Sequence, residues 1–244
     1  MKRALWVIGA MLVAVLTVSA LSDFWTDKPY TKWSAKDVRH LLSESPWGKT
    51  TTLRTAIIKQ VHRETGQFSS LAGEGEGVPD PTIEYAVYLR TARPVREALV
   101  REAQIQEKYD EMNDASRKSF DDKWGKFLAA DVSDKIIVQV QYSSNTADID
   151  RQLMTFWQNQ TAGTLRDIAA MTWPDGQRVA PIAYWAARGA GREFQLAFPR
   201  PKDSREDGAI SVEFQNPNVK VEGNSRIYTK FQLKELKYGG KVTY

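Results

Sequence analysis

The sequence predicts an α+β fold: a largely antiparallel sheet packed by one long helix and two shorter helices, after an N-terminal signal helix. Three observations carry this expectation. From Pro94 to Ala129, apolar groups recur at Val95, Leu99, Ala103, Tyr109, Met112, Phe120, Trp124 and Phe127. Most of these steps are three, four or a sum of them, with charges between, which is the helical period. Ile83, Tyr85, Val87 and Leu89 alternate with their neighbours, as do Ile136, Val138, Val140 and Tyr142, which is the period of a half-buried strand. Beyond residue 160, short β-rich runs are separated by clusters of Gly, Pro, Asp and Asn, so that region reads as a succession of strands.

The elements follow in order. Residues 23–33 (DFWTDKPYTKW) read as an extended lead-in with aromatic anchors. Ser34 with Asp37 three residues on makes a capping-box pattern for a first helix. That helix carries Val38, Leu41 and Leu42 on one face and ends at 43–45, ahead of Pro46. Residues 50–61 are β-branched and predict a strand. Gly66 to Pro81 reads as a long exposed loop, inserted between strands that belong to one sheet. A second strand starts at Thr82. Pro94 opens the long helix, and Asn113-Asp114 is a point where it can divide. After the strand at 136–142, residues 146–158 present the stripe Ile149, Leu153, Phe156 and Trp157 of a shorter helix. Strands are then expected at 165–172, 178–187 (a hairpin across Trp173-Pro-Asp-Gly176), 193–198, 209–214 and 226–234. Gly239-Gly240 turns into a last short strand. The expected sheet has six to nine strands, and residues 21–244 form one domain.

The first twenty residues stand apart. Met1-Lys2-Arg3 is basic, Ala4 to Ala20 is uncharged throughout, and Val18-Ser19-Ala20 is a small-residue ending. This is the pattern of an export signal, or of an inner-membrane anchor if it is not cleaved. The expected location is therefore periplasmic or extracellular, with membrane contact only through residues 1–20 if they are retained. Hydrophobic content of 42% and charged content of 26% are those of a folded chain. Of the net charge of +4, Lys2 and Arg3 supply two, leaving +2, too little to imply a nucleic-acid partner. There is no cysteine, which removes disulfides, thiol catalysis and cysteine–metal sites.

The sequence assigns no catalytic residue, no metal ligand and no cofactor. His40 and His62 lack the spacing of a metalloprotease helix. No G-x-S-x-G elbow or P-loop occurs, and Gly189-Ala190-Gly191 lies between strands. The carboxylate pairs Asp121/Asp122, Asp148/Asp150 and Glu74/Glu76 are candidates for acid–base work, but the first two lie among counter-charges on helices. Asn159-Gln160-Thr161 matches a glycosylation acceptor. Aromatic rings are the most positive feature. Trp25, Tyr30, Trp33 and Trp47 cluster near the start of the exported part, where they either pin the lead-in to the sheet or stack on a ligand. Trp33, Pro46 and Trp47 are the candidate contact residues.

Trp33-Ser34, Asp37, Leu41-Leu42 and Ser45-Pro46-Trp47-Gly48-Lys49 resemble the start of a group of uncharacterised exported bacterial proteins. In that group a W-S…L-L-x-x-SPW-x-K segment follows the signal. Phe198-Pro199-Arg200 and the closing Tyr238–Tyr244 segment, YGGKVTY, also fit. The resemblance implies export and no particular reaction, so no site residue follows from it. The expected function is binding or scaffolding in the cell envelope, with an envelope protein or a glycan as partner and the SPW region as contact surface. Two alternatives are a hydrolase of an envelope polymer using His62, Glu64 or scattered carboxylates, and a binder of a small apolar ligand between sheet and helix.

Overall fold

Ser45 joins the first helix to the first strand. Its hydroxyl donates to Leu41 O at 2.5 Å and accepts from the backbone N–H groups of Trp47 and Gly48 at 3.1 and 3.2 Å. One buried side chain thus closes the helix and turns the chain. The structure, a computed structural model, describes residues 23–54, 59–61, 68–70, 81–201, 206–219 and 226–244. The expected signal helix, His62, Glu64 and the Glu74/Glu76 pair lie outside the described residues. Upstream of Ser45, a short α1 (Phe24–Asp27) and a 3₁₀ turn (Tyr30–Lys32) lead to α2 (Ala35–Ser43). The expected capping box is present at α2: Asp37 N–H donates to Ser34 Oγ, and Ser34 N–H donates to the Asp37 carboxylate.

Strand β1 (Gly48–Arg54) follows, then β2 (Lys59–Val61) and β3 (Phe68–Ser70), which pair antiparallel. Phe68–Ser70 is therefore strand, where the sequence predicted continuous loop. Strand β4 (Thr82–Leu89) leads to the region expected to be one long helix. It is two: α3 (Arg93–Gln106) and α4 (Asp114–Ala129), with a 3₁₀ turn (Tyr109–Glu111) between. Lys108 at φ +53° breaks the path, and Asn113 restarts it by accepting from Ser116 N–H at 2.9 Å. The two helices fold together, with Val100 and Ala103 packed on Phe120 and ringed by Tyr109, Met112, Trp124 and Phe127. The apolar spacing survived the break because Tyr109 and Met112 remain in phase across it.

Next come β5 (Lys135–Ser144), α5 (Ala147–Gln158), a one-turn α6 (Ala162–Leu165), β6 (Ala169–Thr172), β7 (Arg178–Val179), β8 (Ala183–Ala186), β9 (Glu193–Pro199), β10 (Ala209–Gln215) and β11 (Arg226–Gln232). A 3₁₀ turn and the hairpin β12 (Lys237–Tyr238) and β13 (Lys241–Val242) finish the chain. The fold is α+β, and its pairings are antiparallel as expected. The strands form two main sheets rather than one: five strands in the order β1-β4-β5-β9-β8 and four in the order β11-β10-β6-β7. The expected strand at 178–187 is divided between them. Arg178–Val179 pairs with β6, Pro181 follows, and Ala183–Ala186 pairs with β9 in the other sheet. Leu165, expected to begin a strand, instead ends α6, which starts under a second capping box at Thr161, and the strand begins only at Ala169.

The sheets face each other across one apolar interior. Tyr85 and Phe194 both meet Phe214 edge-on, at 5.3 and 5.6 Å, and Trp157 of α5 stacks on Phe194 at 4.1 Å. Inside that interior the Tyr85 hydroxyl donates to Asn216 Oδ1 at 2.5 Å. The opposite face of the five-stranded sheet carries α2, α3 and α4. At its β1 edge α2 lies so close that a Cβ on Gly48 would stand 2.3 Å from Leu42 O. Further along, the Arg90 guanidinium sits 5.2 Å from the Phe127 ring of α4.

Residues 45–49, 198–200 and 238–244, far apart in the sequence, meet in space. Trp47 Nε1–H donates to Thr243 O at 2.9 Å, and its ring meets Tyr238 edge-on at 6.3 Å. The Tyr238 hydroxyl donates to Glu97 Oε2 at 2.5 Å, while Glu97 Oε1 receives Arg93 Nε–H at 2.7 Å. Arg200 donates to Tyr244 O and lies over its ring. Gly239 and Gly240, at φ +58° and +78°, allow the tight turn that returns the chain to this clamp.

Candidate functional site

The rings expected to form a contact surface are interior. Trp33 and Trp47 are both 0% exposed, and Pro46 is half-buried. Trp33 Nε1–H donates to Lys28 O at 3.1 Å, and Trp25 meets Trp47 edge-on at 5.6 Å. These residues pin the lead-in to the body, because a buried indole needs both apolar neighbours and an acceptor for its N–H. They cannot stack on a ligand. Trp173 is likewise buried, whereas Trp185 is 48% exposed.

Trp185 stands at one end of a row. Cross-strand pairing sets Gly48 opposite Tyr88, Tyr88 opposite Gln139, Gln139 opposite Gln195, and Gln195 opposite Trp185. Strand side chains alternate between faces, so all five lie on the face away from the apolar interior. Gly48 and Tyr88 are covered by the helices. The row then emerges through half-buried Gln195 to exposed Trp185.

The polar side chains of this shelf are held by one another. Arg90 donates to Gln139 Oε1, and Gln195 Nε2–H reaches the same oxygen at 3.3 Å. Gln139 Nε2–H donates to Glu193 Oε2 at 2.5 Å. The Gln139 amide therefore lies between a guanidinium and a carboxylate, and the charges at its two ends set its orientation. Glu193 keeps a second oxygen, and Gln195 its carbonyl oxygen, for anything laid on the shelf. Behind them the Tyr88 hydroxyl is fully buried, with no hydrogen-bond partner among the described residues. Burial raises its pKa, and the nearby Glu193 and Glu102 carboxylates add to this. Glu102, half-buried on α3, is also held above the ordinary carboxylate range, chiefly by burial and then by Glu193.

The other sequence candidates are engaged elsewhere. His40 lies on α2 against Glu44 and beside the Trp25 ring. Asp121 accepts from Tyr109, and Asp122 pairs with Lys118. Asp148 pairs with Arg151, and Asp150 receives Ser144 N–H and pairs with Arg192. No group of three or more His, Asp or Glu among the described residues is placed to hold a metal ion. No helix among them is long and apolar enough to cross a membrane. The shelf residues were missed because Gln139, Gln195 and Trp185 are 56 and 10 positions apart in the chain. Each occupies an ordinary outward position of its strand, and only the pairing aligns them.

No protein-family model, no curated protein and no solved structure matches the chain.

Proposed function

We propose that this is an exported protein of the cell envelope that works by binding, and that its ligand is a glycan laid along the Gln139–Gln195–Trp185 shelf. The observation that carries the reading is the alignment of an exposed indole with two hydrogen-bonded amides, one of them held between the Arg90 guanidinium and the Glu193 carboxylate. A flat ring offers a sugar ring its face. Fixed planar groups that both donate and accept suit adjacent hydroxyls, and they lose little entropy on binding because they are already ordered. Export rests on residues 1–20, and fusing them to a reporter that is active only outside the inner membrane tests it. Titration calorimetry against envelope oligosaccharides tests the shelf. Trp185→Ala is expected to weaken binding at least about tenfold, the scale of a central aromatic contact, while Trp173→Phe leaves it unchanged. Equal affinity for wild type and Trp185→Ala would remove the shelf from the reading.

One observation favours a second reading, cleavage of such a polymer. Burial and the Glu193 charge hold the Glu102 carboxyl above the ordinary carboxylate range, and a carboxyl raised in this way next to a second one is a feature of glycoside hydrolysis. Release of reducing ends by wild type but not by Glu102→Gln would support it, and no release by wild type would sink it.

A further inference from the structure

We infer that two copies of the chain pair antiparallel through the open edge of β8, continuing the five-stranded sheet across a twofold axis centred on Trp185. The inference does not rest on the glycan reading.

Among the described residues, the two main sheets have four edge strands. Three carry charges that discourage edge pairing: Lys49 and Arg54 on β1, Arg178 on β7, and Arg226 and Lys230 on β11. Strand β8 carries none. The run Ile182 to Ala187, IAYWAA, has no charge, no proline and strong β-formers at its centre. It also holds two of the three large hydrophobic side chains that are exposed among the described residues, Ile182 at 60% and Trp185 at 48%.

The backbone fits a second copy in one register. Ala187 N–H donates to Glu193 O at 2.9 Å, so Trp185, in phase with it, also turns its backbone groups towards β9. Tyr184 and Ala186, out of phase, turn theirs to the open side. Ile182 N–H is already used by Ala197 O. Placing Tyr184 opposite the partner's Ala186 exchanges two hydrogen bonds at each of two symmetric positions. Trp185 then faces the partner's Trp185 at the closer, non-hydrogen-bonded spacing. Arg188 falls opposite the partner's Ile182, so like charges do not meet. A twofold axis perpendicular to the sheet keeps both indoles on the same face, so each copy contributes its ring to the other's shelf.

The absence of cysteine makes the test direct. In this register Trp185→Cys places two thiols on facing residues with Cα atoms about 4.5 Å apart, within disulfide range. Oxidised Trp185→Cys, and Ala183→Cys mixed with Ala187→Cys, are expected to give covalent dimers, and Ala183→Cys alone is not. Wild type is expected to show a dimer by light scattering with a concentration-dependent thermal midpoint, and Ala186→Pro, which removes an outward N–H, a monomer that still unfolds cooperatively at a midpoint independent of concentration. Should Ala186→Pro fail to fold, Ala187→Lys serves the same end by charging the edge. A wild type that stays monomeric, or Ala183→Cys alone crosslinking as well as Trp185→Cys, overturns the inference.

Discussion

Trp47 and Trp185 are the same side chain in opposite circumstances. Trp47 is enclosed and its N–H is matched to Thr243 O, so Trp47→Ala is expected to cost about 3–5 kcal/mol of stability, read as a lower urea midpoint. Trp185 is half in solvent, and Trp185→Ala is expected to change stability by less than about 1 kcal/mol. Gly48→Ala is expected to destabilise by about 1–3 kcal/mol or more, because backbone rather than a flexible side chain stands where the methyl would go. Glu102 gives a pH signature. Its carboxyl is raised in the folded state, so the folded chain holds that proton longer than the unfolded one. Its contribution to stability is full below the ordinary carboxylate pKa and is lost as pH rises through the raised value. Glu102→Gln is expected to remove that fall, measured as denaturant midpoints from acid to neutral pH. The sequence marks the aromatic cluster near residues 25–47 but not which side of the surface it takes. Burial of an indole is decided by partners as distant as residue 243.

Local chemistry announces some elements fully. The box at Ser34 and Asp37 starts α2 where the sequence places it, because cap and carboxylate act within one turn. Burial by itself would raise the Asp37 pKa, but hydrogen bonds from Lys28 and Ser34 outweigh it and hold the carboxyl below its ordinary value. Its support is thus present above the unfolded carboxylate pKa and lost as pH falls through the lower folded one. Ser34→Ala is expected to cost about 1 kcal/mol in thermal unfolding. The boundary between α3 and α4 was legible only at Asn113, since nothing in a lysine announces the left-handed backbone at Lys108. Lys108→Gly is expected to stabilise by up to about 1 kcal/mol, since glycine adopts that conformation without steric cost. Strand alternation foretold faces correctly at β4 and β5. It could not tell that β7 and β8 belong to different sheets, because pairing is a long-range choice that a period of two does not encode.

Across the whole molecule, the helical layer, the two sheets and the clamp at Trp47 depend on one another, and the shelf exists only when β4, β5, β9 and β8 are aligned. Deleting residues 237–244 removes the acceptor of Trp47, the hydroxyl on Glu97 and the carbonyl under Arg200 together. It is expected to abolish cooperative unfolding in calorimetry rather than merely lower the midpoint. The same clamp has a consequence in time. Trp47 and Thr243 stand 196 positions apart, so during synthesis Trp47 leaves the ribosome long before its acceptor is made. The interior around β1 closes only once residue 243 is present, which makes this contact a late, long-range step of folding.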